Sequence, residues 1–174
     1  MFHKILLFLF SSFTLVFAVQ TEEISTAKPT RIYVDVVADL MHAGHIEFFK
    51  KAKALGDYLI VGVLSDSDVA SYKRVPILTL SERVAEVQAC RYVDEVIAAP
   101  PMRVTKEWLK EHQIDLVVHG DDYDEKTMTW WYGVPIQMGI FRTLPYTKGI
   151  STTNIIKRIT DRYLEDRLQL AKQP

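Results

Sequence analysis

At 174 residues, with 48% hydrophobic and 25% charged side chains, the chain is sized for one packed domain, and this composition excludes a disordered tail protein. Its 21 Lys and Arg against 22 Asp and Glu leave a net charge of −1, so no global basic field points to nucleic acid and any anion site must be local. The single cysteine, Cys90, excludes an internal disulfide framework and a zinc site built on several thiolates.

The first feature along the chain is a run from Ile5 to Val19 with no charge and only Ser11, Ser12 and Thr14 as polar interruptions. It is short for a hydrocarbon layer of roughly 30 Å crossed at about 1.5 Å per residue. A cleaved secretory signal, an uncleaved membrane anchor and an extension from a misassigned start are the three readings of residues 1–20. Residues 21–30, with Glu22, Glu23 and Pro29, read as a solvated linker, and residues 31–174 as the folded domain.

From Arg31 two kinds of periodicity alternate. Arg31 to Val37 and Tyr58 to Leu64 are β-branched runs, and shorter ones follow at Glu95 to Ala98 and Ile114 to His119. Between them, Ala43 to Leu55, Ser81 to Arg91 and Thr105 to His112 read as helices, the first with Ile46, Phe49, Lys50, Lys53 and Ala54 along one stripe. Strands separated by helices of this size imply parallel pairing, because a parallel neighbour needs a crossover. The expected fold is α/β, a doubly wound parallel sheet without internal repeats.

Ligands of such sheets bind beyond the carboxyl ends of the strands, which draws attention to the segment from Asp35 to His45. With a helix starting near Ala43, His42 and His45 share its first turn, where backbone N–H groups and the positive end of the helix dipole converge. Gly44 would let a phosphate approach the backbone, and two imidazoles could donate hydrogen bonds to charge on a phosphoryl group. The plain alternatives are half of a metal site or two incidental surface histidines. No third ligand arrangement completes a zinc site, so no metal residues are assigned.

His42-Ala43-Gly44-His45, followed in order by Gly56 to Asp66, Tyr72-Lys73-Arg74, Ser81-Glu82-Arg83, Arg91 to Val96, His119 to Asp122 and Gly149 to Thr153, resembles the HxGH nucleotidyltransferases and, among them, the cytidylyltransferases. The similarity covers about residues 31–160 and is greatest to phosphoethanolamine and phosphocholine cytidylyltransferases, with glycerol-3-phosphate enzymes next. It implies a Rossmann-like fold and attack by the phosphate of a phosphoalcohol on the α-phosphorus of CTP. The products would be pyrophosphate and a CDP-alcohol for phospholipid synthesis, made without a covalent enzyme intermediate. Catalysis would then rest on alignment and charge stabilisation. Mg²⁺ would arrive with CTP, held by phosphate oxygens and water. A homodimer is implied as well.

By position in that resemblance, His42 and His45 would steady the α-phosphoryl group, and Lys73 would bridge nucleotide and substrate phosphates as a mobile point charge. Val37, Ala38 and Gly44 belong to the loop that would present N–H groups to the triphosphate. His119, Gly120 and Asp121 would meet the nucleoside. Thr147, Gly149, Ile150, Ser151 and Thr152 would hold the β- and γ-phosphates, with Ser151 or Thr152 capping the helix that follows. Arg91 would approach the nucleotide or support a dimer contact. Asp35 would pair with a substrate ammonium group, or serve as a buried carboxylate bonded to loop N–H groups.

Several positions depart from the family pattern. Val36 replaces a glycine, Ala38 an aromatic, and Tyr146 an arginine beside Thr147, with Arg142 and Lys148 as substitute cations. Met102 stands where choline-using relatives place an aromatic, which favours phosphoethanolamine; phosphocholine and glycerol-3-phosphate are the alternative acceptors. Trp108 and Cys90 read as core, and Trp130, Trp131 and Tyr132 as packing or a substrate lid. The expected protein is a single catalytic unit. A membrane-tethered nucleotide-binding protein with weakened catalysis and an ATP-using adenylyltransferase are the alternatives. Because CTP is cytosolic, an anchor on residues 5–19 with a cytosol-facing domain, or a cytoplasmic protein with a spurious start, fits better than secretion.

Overall fold

The computed structural model describes residues 28–170; the apolar run from Ile5 to Val19 and most of the expected linker lie outside the described residues. Among the described residues no helix is long and apolar enough to cross a membrane. The linker ends slightly before its expected boundary, since the Thr30 N–H donates to Asp57 at 2.8 Å and its carbonyl accepts the Tyr58 N–H at 3.1 Å.

The aliphatic runs form β1 (Arg31–Val36) and β2 (Tyr58–Val63), paired in parallel with Arg31 opposite Tyr58 and Val36 opposite Val63. β3 (Glu95–Ala98) lies outside β2, β4 (Leu116–Gly120) beside β1, and β5 (Phe141–Leu144) outside β4, giving the order β3-β2-β1-β4-β5 with every pairing parallel. The helices are α1 (Ala43–Lys53), α2 (Asp66–Ala70), α3 (Leu80–Gln88), α4 (Lys106–Glu111), α5 (Glu125–Gln137) and α6 (Thr152–Leu170). The chain steps outward from β1 to β3 and then returns to the other side of β1. The strand order therefore reverses between β1 and β4, and their carboxyl ends frame a crevice.

The period-2 geometry of β1 divides the core. Ile32 and Val34 face one layer with Phe49, Ala52 and Val87 of α1 and α3, while Tyr33 faces the other with Leu109, Met128 and Tyr132 of α4 and α5. Each fully buried Val, Leu or Ile contributes about 1.5–3 kcal/mol relative to exposure, which is why these two layers hold the sheet. Asp35, in register with Tyr33, is consequently aimed at α5. The stripe expected on α1 is displaced: Phe49 and Ala52 are buried, whereas Ile46, Lys50 and Ala54 are exposed. The buried face is carried by small and aromatic residues rather than by the lysine stems.

Helix boundaries follow capping chemistry. Thr79 rather than Ser81 caps α3, in a capping box with Glu82, and Thr105 caps α4 by accepting the Trp108 N–H at 3.2 Å. α5 and β5 have no counterpart among the expected elements. α5 starts at an Asp124 cap but contains Gly133 and Pro135, both poor helix residues, and β5 is a four-residue edge strand with Arg142 and Thr143 exposed. Pro135 cannot donate to the Trp131 carbonyl one turn back, and the backbone leaves helical geometry at Tyr132 (φ −114°, ψ 21°).

Candidate active site

His42 is the N-cap of α1. Its Nδ1 accepts the Gly44 N–H at 3.1 Å, while Nδ1 of His45, at the third helical position, accepts the His42 N–H at 3.3 Å. This reciprocal capping box is built from two imidazoles in place of the usual hydroxyl and carboxylate. It stacks the rings with centroids 4.0 Å apart. With both Nδ1 atoms acting as acceptors, the bonding pattern assigns the proton of each neutral ring to Nε2, leaving two N–H donors. Burial lowers the His42 pKa, and burial followed by the neighbouring His42 lowers that of His45 to about 4, against an opposing pull from Asp39. The pair is therefore neutral near pH 7. Two expectations change here: the Gly44 N–H is engaged by His42 rather than left for a phosphate, and glycine is needed because a Cβ would come within 2.9 Å of the His42 ring.

Both rings line a cavity of about 290 Å³ at the carboxyl ends of β1 and β4. Asp35 and Val37 contribute from the end of β1, Gly44 from α1, Lys73 from the loop after α2, and His119 and Gly120 from β4. Thr147, Ser151 and Thr152 close it from the segment between β5 and α6. The cavity thus brings together eleven of the sixteen anticipated residues, counting His42 and His45 with these nine. Ser151 caps α6, its Oγ accepting the Asn154 N–H at 3.2 Å, and Thr152 Oγ1 donates to the Asp39 carbonyl at 2.8 Å.

The other five lie elsewhere. Ala38 is fully buried in the core and does not reach the cavity, because the loop turns there with φ of 56°, and again at Leu40 with φ of 50°. Positive φ thus falls at Ala38 and Leu40, not at Val36, which stays in the β1 ladder opposite Val63. Arg91 is exposed in the turn before β3, at the amino end of the sheet and away from the cavity. Asp121 accepts the Tyr146 N–H at 2.8 Å and so shapes the loop instead of lining the pocket. Gly149 supplies a φ of 94°, and Ile150 packs towards Gly44. Arg142 and Lys148 are exposed and do not line the cavity; Arg74 does.

Residues not anticipated for the site hold it in place. Asp39 is 3% exposed and accepts the Ile77 and Leu78 N–H groups at 3.0 Å each, with Arg74 at 3.5 Å, so it anchors the loop carrying Lys73. Arg83 has no exposed surface and donates to the carbonyls of Leu64 at 2.8 Å and Leu78 at 3.2 Å, as well as to the Val37 carbonyl and Asp66. One guanidinium thereby joins the ends of β1 and β2 to the Lys73 loop, a use of its several fixed donors that lysine could not reproduce. An arginine inside a helical apolar stripe was the available sequence signal.

Beside the main cavity, Asp35, Tyr72, Tyr123, Trp131 and Tyr132 enclose a chamber of about 50 Å³. Asp35 accepts the Tyr132 hydroxyl at 2.8 Å, and burial raises its pKa against the lowering effects of nearby His119 and that hydrogen bond. Met102 lines neither cavity, so its departure from an aromatic does not decide the chamber's walls. Of the aromatics read as packing or a lid, Tyr132, 4% exposed against Asp35, and Trp131 line the chamber together with Tyr72 and Tyr123, whereas Trp130 does not line it and is 52% exposed. Trp108 packs edge-on to Tyr33 with centroids 5.0 Å apart and is half-buried against the core.

Comparison with known proteins places this geometry. The chain is 44% identical over 154 residues to an ethanolamine-phosphate cytidylyltransferase of Dictyostelium discoideum, covering 84% of this chain and 43% of that protein. It is 41% identical over 139 residues to choline-phosphate cytidylyltransferase A of Homo sapiens, covering 78% and 38% respectively. The chain thus spans less than half the length of these relatives. A crystal structure of a lipopolysaccharide core biosynthesis protein from Thermoplasma volcanium GSS1 superposes with a TM-score of 0.56 at 26% identity, covering 71% of this chain and 100% of that one. The cytidylyltransferase-like family model matches residues 34–158, from within β1 into α6 and so across the whole cavity, and the chain belongs to that family.

Proposed function

We propose that the chain transfers CMP from CTP to a phosphoalcohol, with phosphoethanolamine as the acceptor. The observation that carries this reading is the stacked pair of neutral imidazoles, each with an Nε2–H donor, on a cavity that also receives Lys73 and opens onto a buried carboxylate. In the proposed step a phosphate oxygen of the acceptor attacks the α-phosphorus of CTP. The bond to the α–β bridging oxygen breaks, and pyrophosphate leaves with its electron pair. His42 and His45 would donate hydrogen bonds to the charge on the α-phosphoryl oxygens, and neutral donors do this without a proton transfer. Lys73 would balance the phosphates of both reactants, and Ser151 and Thr152 would meet the leaving pyrophosphate at the start of α6.

Asp35 and its aromatic neighbours support an ammonium-bearing acceptor, since a carboxylate supplies the counter-charge and aromatic faces attract cations. The identity to choline-phosphate cytidylyltransferase A makes phosphocholine the second reading. Magnesium would enter with the nucleotide, held by phosphate oxygens and water. We further infer a homodimer and a cytosol-facing domain, with residues 5–19 as a membrane contact; sedimentation and cell fractionation test these.

The central test is CDP-alcohol formation from CTP by the full chain. Phosphoethanolamine is expected to be converted, and His45→Ala to lower kcat by about 100- to 1000-fold, the loss typical of one preorganised donor. Equal turnover in the variant would remove the imidazole from the mechanism.

A further inference from the structure

The geometry points to Arg74 as the residue that grips the two outer phosphates of CTP, those that leave as pyrophosphate, an inference that rests on reading the cavity as a CTP site. Among the described residues, Lys73 and Arg74 are the only Lys or Arg side chains that line the cavity. Arg142 and Lys148 stand off it, and Tyr146, which lines it beside Thr147, brings no positive charge. With His42 and His45 neutral near pH 7, one ammonium group would be left to balance a triphosphate if Arg74 took no part.

Arg74 is held loosely, and in a place that suits this task. Its guanidinium stands 3.5 Å from Asp39 Oδ2, the one hydrogen bond of its side chain among the described residues, and that side chain is 46% exposed. An ion pair this open is weak, so a phosphate can draw the guanidinium away. Asp39 keeps its place without the arginine, because Oδ1 accepts the Ile77 and Leu78 N–H groups. The Asp39 carbonyl in turn accepts the Thr152 hydroxyl, so the residue that pairs with Arg74 also touches the first turn of α6, where backbone N–H groups favour an anion. The two neighbouring cations thereby divide the work by chemistry. Lys73 is a compact point charge on a flexible stem, suited to bridging two reactants. The planar fork of Arg74 matches two oxygens of one phosphate group at once.

The test measures calorimetric binding of CTP and pyrophosphate, binding of CMP by competition with CTP, and CDP-ethanolamine formation in wild type, Arg74→Gln and Arg74→Lys, with circular dichroism establishing that each variant is folded. Arg74→Gln is expected to weaken CTP and pyrophosphate at least about tenfold, the loss of one charge-assisted contact, and to leave CMP, which lacks the two outer phosphates, unchanged. KM for CTP should rise by a similar factor while KM for phosphoethanolamine stays constant. Arg74→Lys should fall between the two, since it keeps the charge without the fork. Equal weakening of CTP and CMP would make Arg74 a loop support acting through Asp39 and overturn the phosphate contact, as would unchanged CTP affinity in folded Arg74→Gln; CDP-ethanolamine formation by wild type leaves the transfer reaction standing in both cases. A loss confined to CTP and pyrophosphate in a protein that makes no CDP-alcohol sustains the Arg74 contact and overturns the transfer reading, and a wild type that does not bind CTP overturns both.

Discussion

A proton reaching the His45 ring has only Nδ1 to enter, and there it would displace the His42 N–H that the atom accepts. The low His45 pKa therefore links helix capping to pH. The folded value of about 4 lies below the unfolded value of about 6.5, so as pH falls the unfolded chain takes up the proton first. Stability fully present above about pH 6.5 is lost progressively down to about pH 4. Between pH 7.5 and pH 5 the wild type is expected to lose about 2 kcal/mol more than His45→Ala, a difference read by urea unfolding at the two pH values. The core layer between the sheet and α4 and α5 holds a second testable residue. The Tyr33 hydroxyl is buried and finds no hydrogen-bond partner among the described residues. Leaving such a group unpaired costs about 1–3 kcal/mol, so Tyr33→Phe is expected to stabilise the protein by about 1 kcal/mol and raise Tm by about 3 °C in calorimetry.

At the scale of elements, the site is assembled from segments that local patterns describe unequally. The start of α1 was legible because a strand, a short loop and a histidine-capped helix follow one another in sequence. The Lys73 loop was legible as a motif but not as a structure: what holds it is Asp39, a residue 38 positions before the Ile77 it bonds. Asp39→Ala strips two N–H groups and Arg74 of their shared acceptor. It is expected to cost about 2 kcal/mol in denaturant unfolding and to speed amide exchange at Ile77 and Leu78 while leaving the β1 amides protected. Asp39→Asn keeps an oxygen in place and should recover more than half of the loss. An outcome in which both variants exchange like wild type would detach the loop from this carboxylate. Asp121 and Gly149 show the same limit. Both stand in motifs that the resemblance singled out, yet one bonds a loop amide and the other turns the chain, roles that spacing does not distinguish from ligand contact.

For the molecule as a whole, strand–helix alternation was enough to anticipate a parallel, doubly wound sheet, and the rule of carboxyl-edge binding was enough to bring the histidines and His119 to one place. The order β3-β2-β1-β4-β5 separates Arg91 from that edge, because Arg91 enters β3 from the amino end while the cavity lies at the opposite one. The chamber at Asp35 was hidden for a physical reason: its walls come from five separate stretches of the chain, and the helix supplying Trp131 and Tyr132 is disguised by Gly133 and Pro135. That bent helix also gives the molecule a built-in optical label. The perpendicular indoles of Trp130 and Trp131 are close enough for their excited states to mix, so the far-ultraviolet circular dichroism should carry a paired positive and negative band. A guest entering next to one member of the pair would disturb that signal without any dye attached.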